Sequence, residues 1–336
     1  MIRFGMCGCG GFVEKAVLPS IENVENAKAV AAFDTSRERL ASVSDRFGLK
    51  PCGSLDEMLN LYEVDAVYIA SPNALHAGQT IAAAKAGKHV FCQKPLGINA
   101  AECREMITAC RDNKVKLGVG FCYRFGSAQQ KAKEMIREGV IGEVSYVHFS
   151  FNLGGSNKET AGWRCDPKMS GGGPLMDLAP HMIDLVSYLL DDKVATAFAF
   201  VRPEPNETEI ETDVIAALEF KKGVRMVLDT SFVRKNASNY TITGNGQITG
   251  ISTMSWRLNG KRAGKLLLET QGPPREVKEV DFPVIEHIEE ETRLYCQAVE
   301  NKQEPPVPGE AGLHAQAVID AIYQSGRTGR RYEVRY

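Results

Sequence analysis

IRFGMCGCGGFV, residues 2–13, is the stretch on which the fold turns. An apolar run begins almost at the first residue and breaks into Gly8-x-Gly10. A second apolar run, AVAAF, follows and ends in Asp34. This layout builds a dinucleotide site. Gly8 lets the chain turn sharply, and Gly10 lets the backbone approach a pyrophosphate. The helix that follows aims its N-terminal N–H groups at the negative charge. Asp34, at the tip of the second strand, can accept hydrogen bonds from both adenosine ribose hydroxyls. The third motif position is Val13 rather than Gly or Ala, which asks the first helix to sit slightly farther from the sheet. A plain strand-turn-helix carries similar glycines, so the motif needs support from the rest of the chain.

The 336 residues suffice for one large domain or two ordinary ones, and a hydrophobic content of 43% supports a full core. The net charge of −2 and the lack of any long Lys/Arg run argue against a nucleic-acid binder. No stretch approaches the ~18 apolar residues of a membrane span, and the N-terminus lacks the shape of a signal peptide. Nine scattered cysteines without repeated spacing read as reduced thiols of a cytoplasmic protein. Cys7 and Cys9 read as small residues fitting a tight turn, and no metal site is expected. Glycosylation-like triplets begin at Asn206, Asn236 and Asn239 and carry no meaning without a secretory route.

The first 120 or so residues alternate strand and helix. Strands are expected at IRFGMCG, AKAVAAFD, VDAVYIAS, HVFCQ and KLGVGFCY. Helices are expected between them, including SLDEMLNL with Ser54 and Glu57 as a capping box, and two closed by Gly48 and Gly87. This rhythm predicts a parallel sheet with helices on both faces. Beyond Tyr123 the rhythm changes. A helix at SAQQKAKEMIREG leads to alternating strands such as VSYVHFSFNL, DVIAALEFKKG, VRMVLDTSFV, YTITGNG, GISTM and KLLLET. A helix over 174–190 interrupts them, and helices at about 285–300 and 309–324 close the chain. The expected fold is α/β plus α+β: a Rossmann domain over 1–122, and a domain over 123–336 built on a large, mostly antiparallel open sheet. Such a sheet has one face for helices and one free for another subunit, so a homo-oligomer, dimer or tetramer, is expected.

Ligands of an open parallel sheet bind outside the carboxyl ends of its strands. There lie Ser71-Pro72-Asn73-Ala74-Leu75-His76, after the third strand, and Lys94-Pro95, after HVFCQ. A lysine at such a strand end suits a hydrogen-bond donor or proton carrier near a nicotinamide. The second dense segment is SGGGPLMDLAPHMIDLVSYLL. Asp177 and His181, four apart, share a helix face, with Asp184 near it. Pro174 fits the first helical position and Pro180 should kink or break the helix. An acid that orients a proton-moving histidine suits this spacing; a helix-cap acid and a satisfied buried histidine suit it too.

These residues bring a family into view. GCGGFV, SPNALH (71–76), AGKHVFCQKPL (86–96), YRF (123–125), GWRCDPKMSGGGPLMDLAPHMID (162–184) and SGRTGRRYEV resemble the Gfo/Idh/MocA family of NAD(P)-dependent oxidoreductases over essentially the whole chain. The resemblance implies catalytic roles for Lys94, Asp177 and His181. Lys94 matches the lysine of the family's E-K-P motif, and Asp177 and His181 match its D-x-x-x-H segment. It implies cofactor contacts at Gly8, Gly10, Gly11, Phe12, Asp34, Arg37, Ser71, Pro72, Asn73, His76, Gln93, Lys94 and Arg124. It implies substrate contacts at Lys94, Tyr123, Trp163, Arg164, Asp177 and His181. Gln93 departs from the family's usual Glu. Within a cleft between the two domains, His181 would take a hydroxyl proton while the carbinol carbon gives hydride to the nicotinamide. Asp34 favours NAD, with Ser36 and Arg37 as the route to NADP. The expected substrate is a sugar, cyclitol or glycoside, with specificity in loops 152–170 and 232–240, where Asn152, Asn157, Lys158, Arg164, Arg234 and Asn239 stand. Two alternatives accompany this reading: glycoside cleavage through transient oxidation by retained NAD, and a regulator that binds NAD(P) without chemistry.

Overall fold

The computed structural model describes residues 1–154, 162–203, 209–270 and 275–336. The alternating segments of the first third form β1 (Ile2–Cys7), β2 (Ala27–Phe33), β3 (Lys50–Pro51), β4 (Ala66–Ile69), β5 (His89–Gln93) and β6 (Leu117–Gly120). They pair in parallel in the order β3-β2-β1-β4-β5-β6. This is the dinucleotide-binding order, and its switch point falls between β1 and β4. The strands are nearly continuous apolar runs because helices cover both faces; every residue of β4 is buried. Ser54 caps the helix Leu55–Leu59 by accepting the Glu57 N–H at 3.0 Å, and Glu57 reaches back to the Gly53 N–H at 2.7 Å. After the glycine turn the helix opens with a π turn, Val13–Val17, closed by the Leu18 N–H on the Val13 carbonyl. Val13 is buried in the core there. The wider turn takes up the bulk at the third motif position.

The chain divides into two compact units, but not at a single cut. Met1–Cys122 groups with Glu286–Leu313, and Tyr123–Ile285 groups with His314–Tyr336. The sequence reading ran the second domain unbroken to the end. The physical reason for the difference is the helix His287–Glu300. Its Tyr295 stacks on Phe91 of β5 at 4.7 Å and lies 6.0 Å from Phe4 of β1. A Cβ on Gly118 of β6 would stand 2.6 Å from the Tyr295 ring, so the ring rests where the strand is bare. The first sheet needs a helix on this face, and the chain supplies it late.

The second unit holds β7 (Tyr146–Asn152), β8 (Val194–Arg202), β9 (Asp213–Phe220), β10 (Arg225–Ser231), β11 (Ala237–Thr243), β12 (Gln247–Ile251), β13 (Lys265–Glu269), β14 (Val277–Val280) and β15 (Tyr332–Glu333). Their order is β14-β13-β12-β11-β7-β10-β9-β8-β15. Within this sheet only the β7–β10 pairing is parallel among the described strands. The sequence reading ran one strand through Gly244-Asn245-Gly246; the structure turns the β11–β12 hairpin there, with the Asn245 N–H on the Ile141 carbonyl at 2.7 Å. The short edge strands β14 and β15 escaped the reading because they carry no apolar alternation. Residues alternate buried and exposed along β7 and β9. The helices Pro174–Asp177 and Ala179–Leu190 pack on the buried face. On the other face Phe200 and Ile215, cross-strand partners, are 61% and 44% exposed. Among the described residues no helix is long and apolar enough to cross a membrane.

Candidate active site

Four loops leave the carboxyl ends of β1, β2, β4 and β5. The first is the glycine turn. Gly8 has φ +96°, and a Cβ there would stand 2.7 Å from the Ala70 carbonyl oxygen after β4, so only glycine fits. A Cβ on Gly10 or Gly11 would meet nothing within 4 Å. The cradle is therefore open where a pyrophosphate must approach. The Glu14 N–H bonds the Gly10 carbonyl at 3.1 Å, so helical bonding starts at that glycine. The Asp34 carboxylate ties the second loop to the first: it accepts the Cys9 N–H and the Ser36 N–H, each at 2.7 Å. Its third partner is Arg39, at 2.9 Å. Burial pushes Asp34 toward protonation, but the bonds from Arg39, Cys9 and Ser36 outweigh it and hold the carboxyl below its ordinary range. Cys7 and Cys9 are buried, and burial pushes both thiols up to about 12. They are packing residues, as a tight turn requires.

The loops after β4 and β5 are stapled by His76. Its Nδ1 lies 2.8 Å from the Pro95 carbonyl oxygen and its Nε2 lies 3.0 Å from the Ser71 carbonyl oxygen. A neutral ring donates to only one of these; an imidazolium donates to both. The ring is buried, and burial holds its pKa below the usual value. His76 thus fixes the positions of these two loops. The Ser71 hydroxyl donates to Gln79 at 2.6 Å, and Asn73, also buried, opens a single 3-10 turn, Asn73–Leu75. Lys94 follows β5 directly, half-buried, and its bond to Pro95 is cis.

In the second unit the helix expected over 174–190 is two helices. Pro174–Asp177 ends at Leu178, and Ala179–Leu190 follows with Pro180 in its first turn. Pro180 has no N–H to give, so the break falls ahead of it. Asp177 is the last residue before the joint, and His181 lies just beyond it. His181 is 9% exposed, and its ring meets Tyr123 edge-on with centroids 4.7 Å apart. Arg124 grips Asp184 with two bonds, Nε to Oδ2 at 2.7 Å and Nη2 to Oδ1 at 2.5 Å. It also lies over the Tyr188 ring at 5.2 Å. Asp184 is buried; burial raises its pKa and the guanidinium beside it works in the opposite sense. Arg124, expected at the cofactor, is thus engaged by a buried carboxylate.

Residues 2–121 match the model of the Gfo/Idh/MocA oxidoreductase family's NAD-binding Rossmann domain, and residues 133–334 match its C-terminal alpha/beta domain. The chain belongs to the Gfo/Idh/MocA family. It is 30% identical over 339 residues to the NADP-dependent D-xylose 1-dehydrogenase 2 of Haloferax volcanii, covering 99% of this chain and 100% of that one. It is 29% identical over 340 residues to the 1,5-anhydro-D-fructose reductase of Ensifer adhaerens, covering 99% of each. The crystal structure of the aldose-aldose oxidoreductase of Caulobacter crescentus superposes with a TM-score of 0.89 at 25% identity, again over 99% of each chain. The first unit is therefore the dinucleotide-binding domain of a family oxidoreductase, and the open Gly10–Gly11 cradle beside Asp34 fits such a cofactor.

Against the family's E-K-P motif, Gln93 finds a role of its own. Its Nε2 donates to the Tyr68 hydroxyl at 2.6 Å, and a Cβ on Gly120 would stand 2.4 Å from it. The amide belongs to the packing between β4, β5 and β6. Arg37 is exposed at the first position of its helix. Arg39, which the sequence reading passed over, is the arginine at Asp34. A signal existed: Ser36 caps the helix by accepting the Arg39 N–H, and a side chain three residues past a cap reaches back over the strand end. In the outer loops, Arg164 lies over the Trp163 ring at 4.5 Å. Asn152 is buried, Arg234 pairs with Asp213 and Asp229, and Asn239 accepts the Ser252 N–H at 3.0 Å. Asn157, Lys158 and Asn206 lie outside the described residues. Among the described residues no cluster of three His, Cys, Asp or Glu side chains is arranged to hold a metal.

Proposed function

We propose that the chain transfers a hydride between NAD(P) and a carbinol carbon of a sugar, cyclitol or glycoside, with Lys94, Asp177 and His181 as its proton-handling group. The observation that carries the reading is an acid at the end of one short helix and, four residues on in the first turn of the next, a buried histidine packed against Tyr123, in a chain whose other unit binds a dinucleotide. The reductase and dehydrogenase named above act on a sugar derivative and a sugar, which supports the substrate class. The bound nicotinamide supplies the hydride acceptor or donor. His181 takes the hydroxyl proton on oxidation and returns it on reduction. Asp177 orients the ring and stabilises its charged form. Lys94 polarises the substrate oxygen as a compact charge. Asp34 holds the glycine turn, and Arg39 beside it offsets the carboxylate's repulsion of a 2′-phosphate, so both dinucleotides are within reach.

The free cysteines, of which only Cys165 is exposed, support a reducing, cytoplasmic setting. The Phe200–Ile215 patch supports a homo-oligomer through the open sheet face. The test is the purified chain with NAD or NADP and a panel of sugars, cyclitols and glycosides, followed at the reduced-nicotinamide absorbance band. Sustained growth of the band with one substrate supports the reading. A band that rises and returns while a glycoside is cleaved assigns transient oxidation instead. A chain that binds dinucleotide and turns over nothing in the panel is the non-catalytic regulator.

A further inference from the structure

The triple glycine before Asp177 has a reason that lies elsewhere in the second unit. Gly172 has φ +155°, and a Cβ there would stand 2.0 Å from the Tyr323 hydroxyl oxygen. A Cβ on Gly173 would stand 1.9 Å from the carbonyl oxygen of Glu211. The glycines are bare because Glu211 and Tyr323 press against the turn. The Glu211 side chain uses that closeness: its Oε1 accepts the Gly173 N–H and the Leu175 N–H, each at 3.0 Å. Pro174, between them, has no N–H to offer. Gly173, the residue at the helix cap, has no side chain to cap with. A carboxylate thirty-six and thirty-eight positions away along the chain therefore performs the capping that the local sequence lacks.

Glu211 is fully buried. A buried carboxylate without partners is expensive, and these two backbone bonds, with the Tyr323 hydroxyl beside them, offset that cost. Burial raises its pKa, and the Gly173 N–H, its own N–H, the Leu175 N–H and the Tyr323 hydroxyl oppose that rise. Its own backbone is anchored beside it: the neighbouring Thr212 donates its N–H to the Arg202 carbonyl at 2.8 Å and accepts the Phe232 N–H at 2.9 Å. The gripped helix, Pro174–Asp177, is a single turn, and Asp177 is its last residue. A displacement of its first turn passes directly to Asp177, and from there across the Leu178 joint to the start of the helix carrying His181.

We infer that Glu211 is a positioning residue for the proton-handling pair: its carboxylate caps the Asp177 helix from the segment that leads into β9 and so sets where Asp177 stands relative to His181. The inference rests on the roles given to Asp177 and His181 above. Titratable and charged groups around the turn are Tyr323, with Asp320 and Arg327 on its helix, and Asp177 itself.

The experiment compares Glu211→Leu, Glu211→Asp and Glu211→Gln with the parent chain. His181 is followed by NMR titration, its signal assigned by loss in His181→Asn. Steady-state rates are normalised to folded protein by circular dichroism. Leu keeps the bulk and removes the acceptor; Asp keeps the charge and withdraws the acceptor by one methylene; Gln keeps an acceptor oxygen in place. For Leu and Asp, the His181 titration midpoint is expected to move by at least about half a pH unit. Their kcat is expected to fall at least about tenfold, with KM for NAD(P) within about twofold. Gln is expected to recover most of both. If Leu fails to fold, the contrast between Asp and Gln decides. Parent-like midpoint and kcat in Leu or Asp overturn the inference, as does a Gln variant as impaired as Asp. The NMR midpoint needs no substrate, so a chain without turnover sinks the proposed reaction while this measurement still decides on Glu211.

Discussion

Replacing His181 by Asn keeps a polar side chain and removes the titrating ring that lies against Tyr123. General acid–base catalysis is worth roughly 10²- to 10⁴-fold, so kcat is expected to fall at least about 100-fold while NAD(P) affinity stays within about twofold. Steady-state kinetics and a dinucleotide titration check this. Loss of dinucleotide binding together with kcat would instead make His181 a packing residue of the second unit. Arg39 gives a second residue-level test. A charge-assisted bond is worth about 1.5–3 kcal/mol, so Arg39→Ala is expected to weaken NADP binding at least about tenfold and NAD binding less. Equal losses for both would place Arg39 in support of Asp34 alone. The motif at Gly8 and Asp34 was readable because its chemistry is local. Arg39 was within reach through the cap at Ser36, but the sequence pattern favoured Arg37, which the helix turns to solvent.

At the level of elements, the segment 174–190 shows how far spacing carries. Pro174 foretells a helix start and Pro180 a kink or break; the helix starts at Pro174 and breaks at Leu178, ahead of Pro180. The partners that hold the segment are invisible to spacing: Glu211 grips its first turn and Arg124 grips its Asp184, sixty residues away in sequence. Breaking a buried ion pair by removing one charge costs about 3–5 kcal/mol. Asp184→Asn is therefore expected to lower unfolding free energy by about that much in urea titration; a change under about 1 kcal/mol would mean that Arg124 finds another acceptor. The same limit explains the helix His287–Glu300. Its amphipathic pattern is plain in the sequence, but the sheet it covers ends at Gly120, far earlier in the chain, and only Tyr295 meeting Phe91 over the bare Gly118 shows the pairing.

Across the whole molecule, burial depresses the pKa of four histidines in the fold. Burial holds His76 and His89 below the ordinary value, pushes His287 down to about 4, and with Lys193, Arg124 and Lys221 pushes His314 down to about 3. In the unfolded chain these rings take protons near pH ~6.5. Because the folded values are depressed, the unfolded state binds more protons as the pH falls. Stability is then full above about pH 6.5 and lost progressively below it, by up to ~1.4 kcal/mol per ring per pH unit. The urea midpoint is expected to drop between pH 7 and pH 5, before most carboxylates titrate. A flat profile over that window would show the rings charged in the fold.

The central claim is that a carbinol hydrogen of a carbohydrate passes to the nicotinamide of a dinucleotide held by the first unit. The most direct measurement uses the substrate found in the panel, labelled with deuterium at the carbon to be oxidised. The account predicts that one deuterium appears at C4 of the reduced nicotinamide by mass spectrometry or NMR, on one face only, and that it fails to appear with His181→Asn. Turnover that leaves the nicotinamide free of deuterium would contradict it.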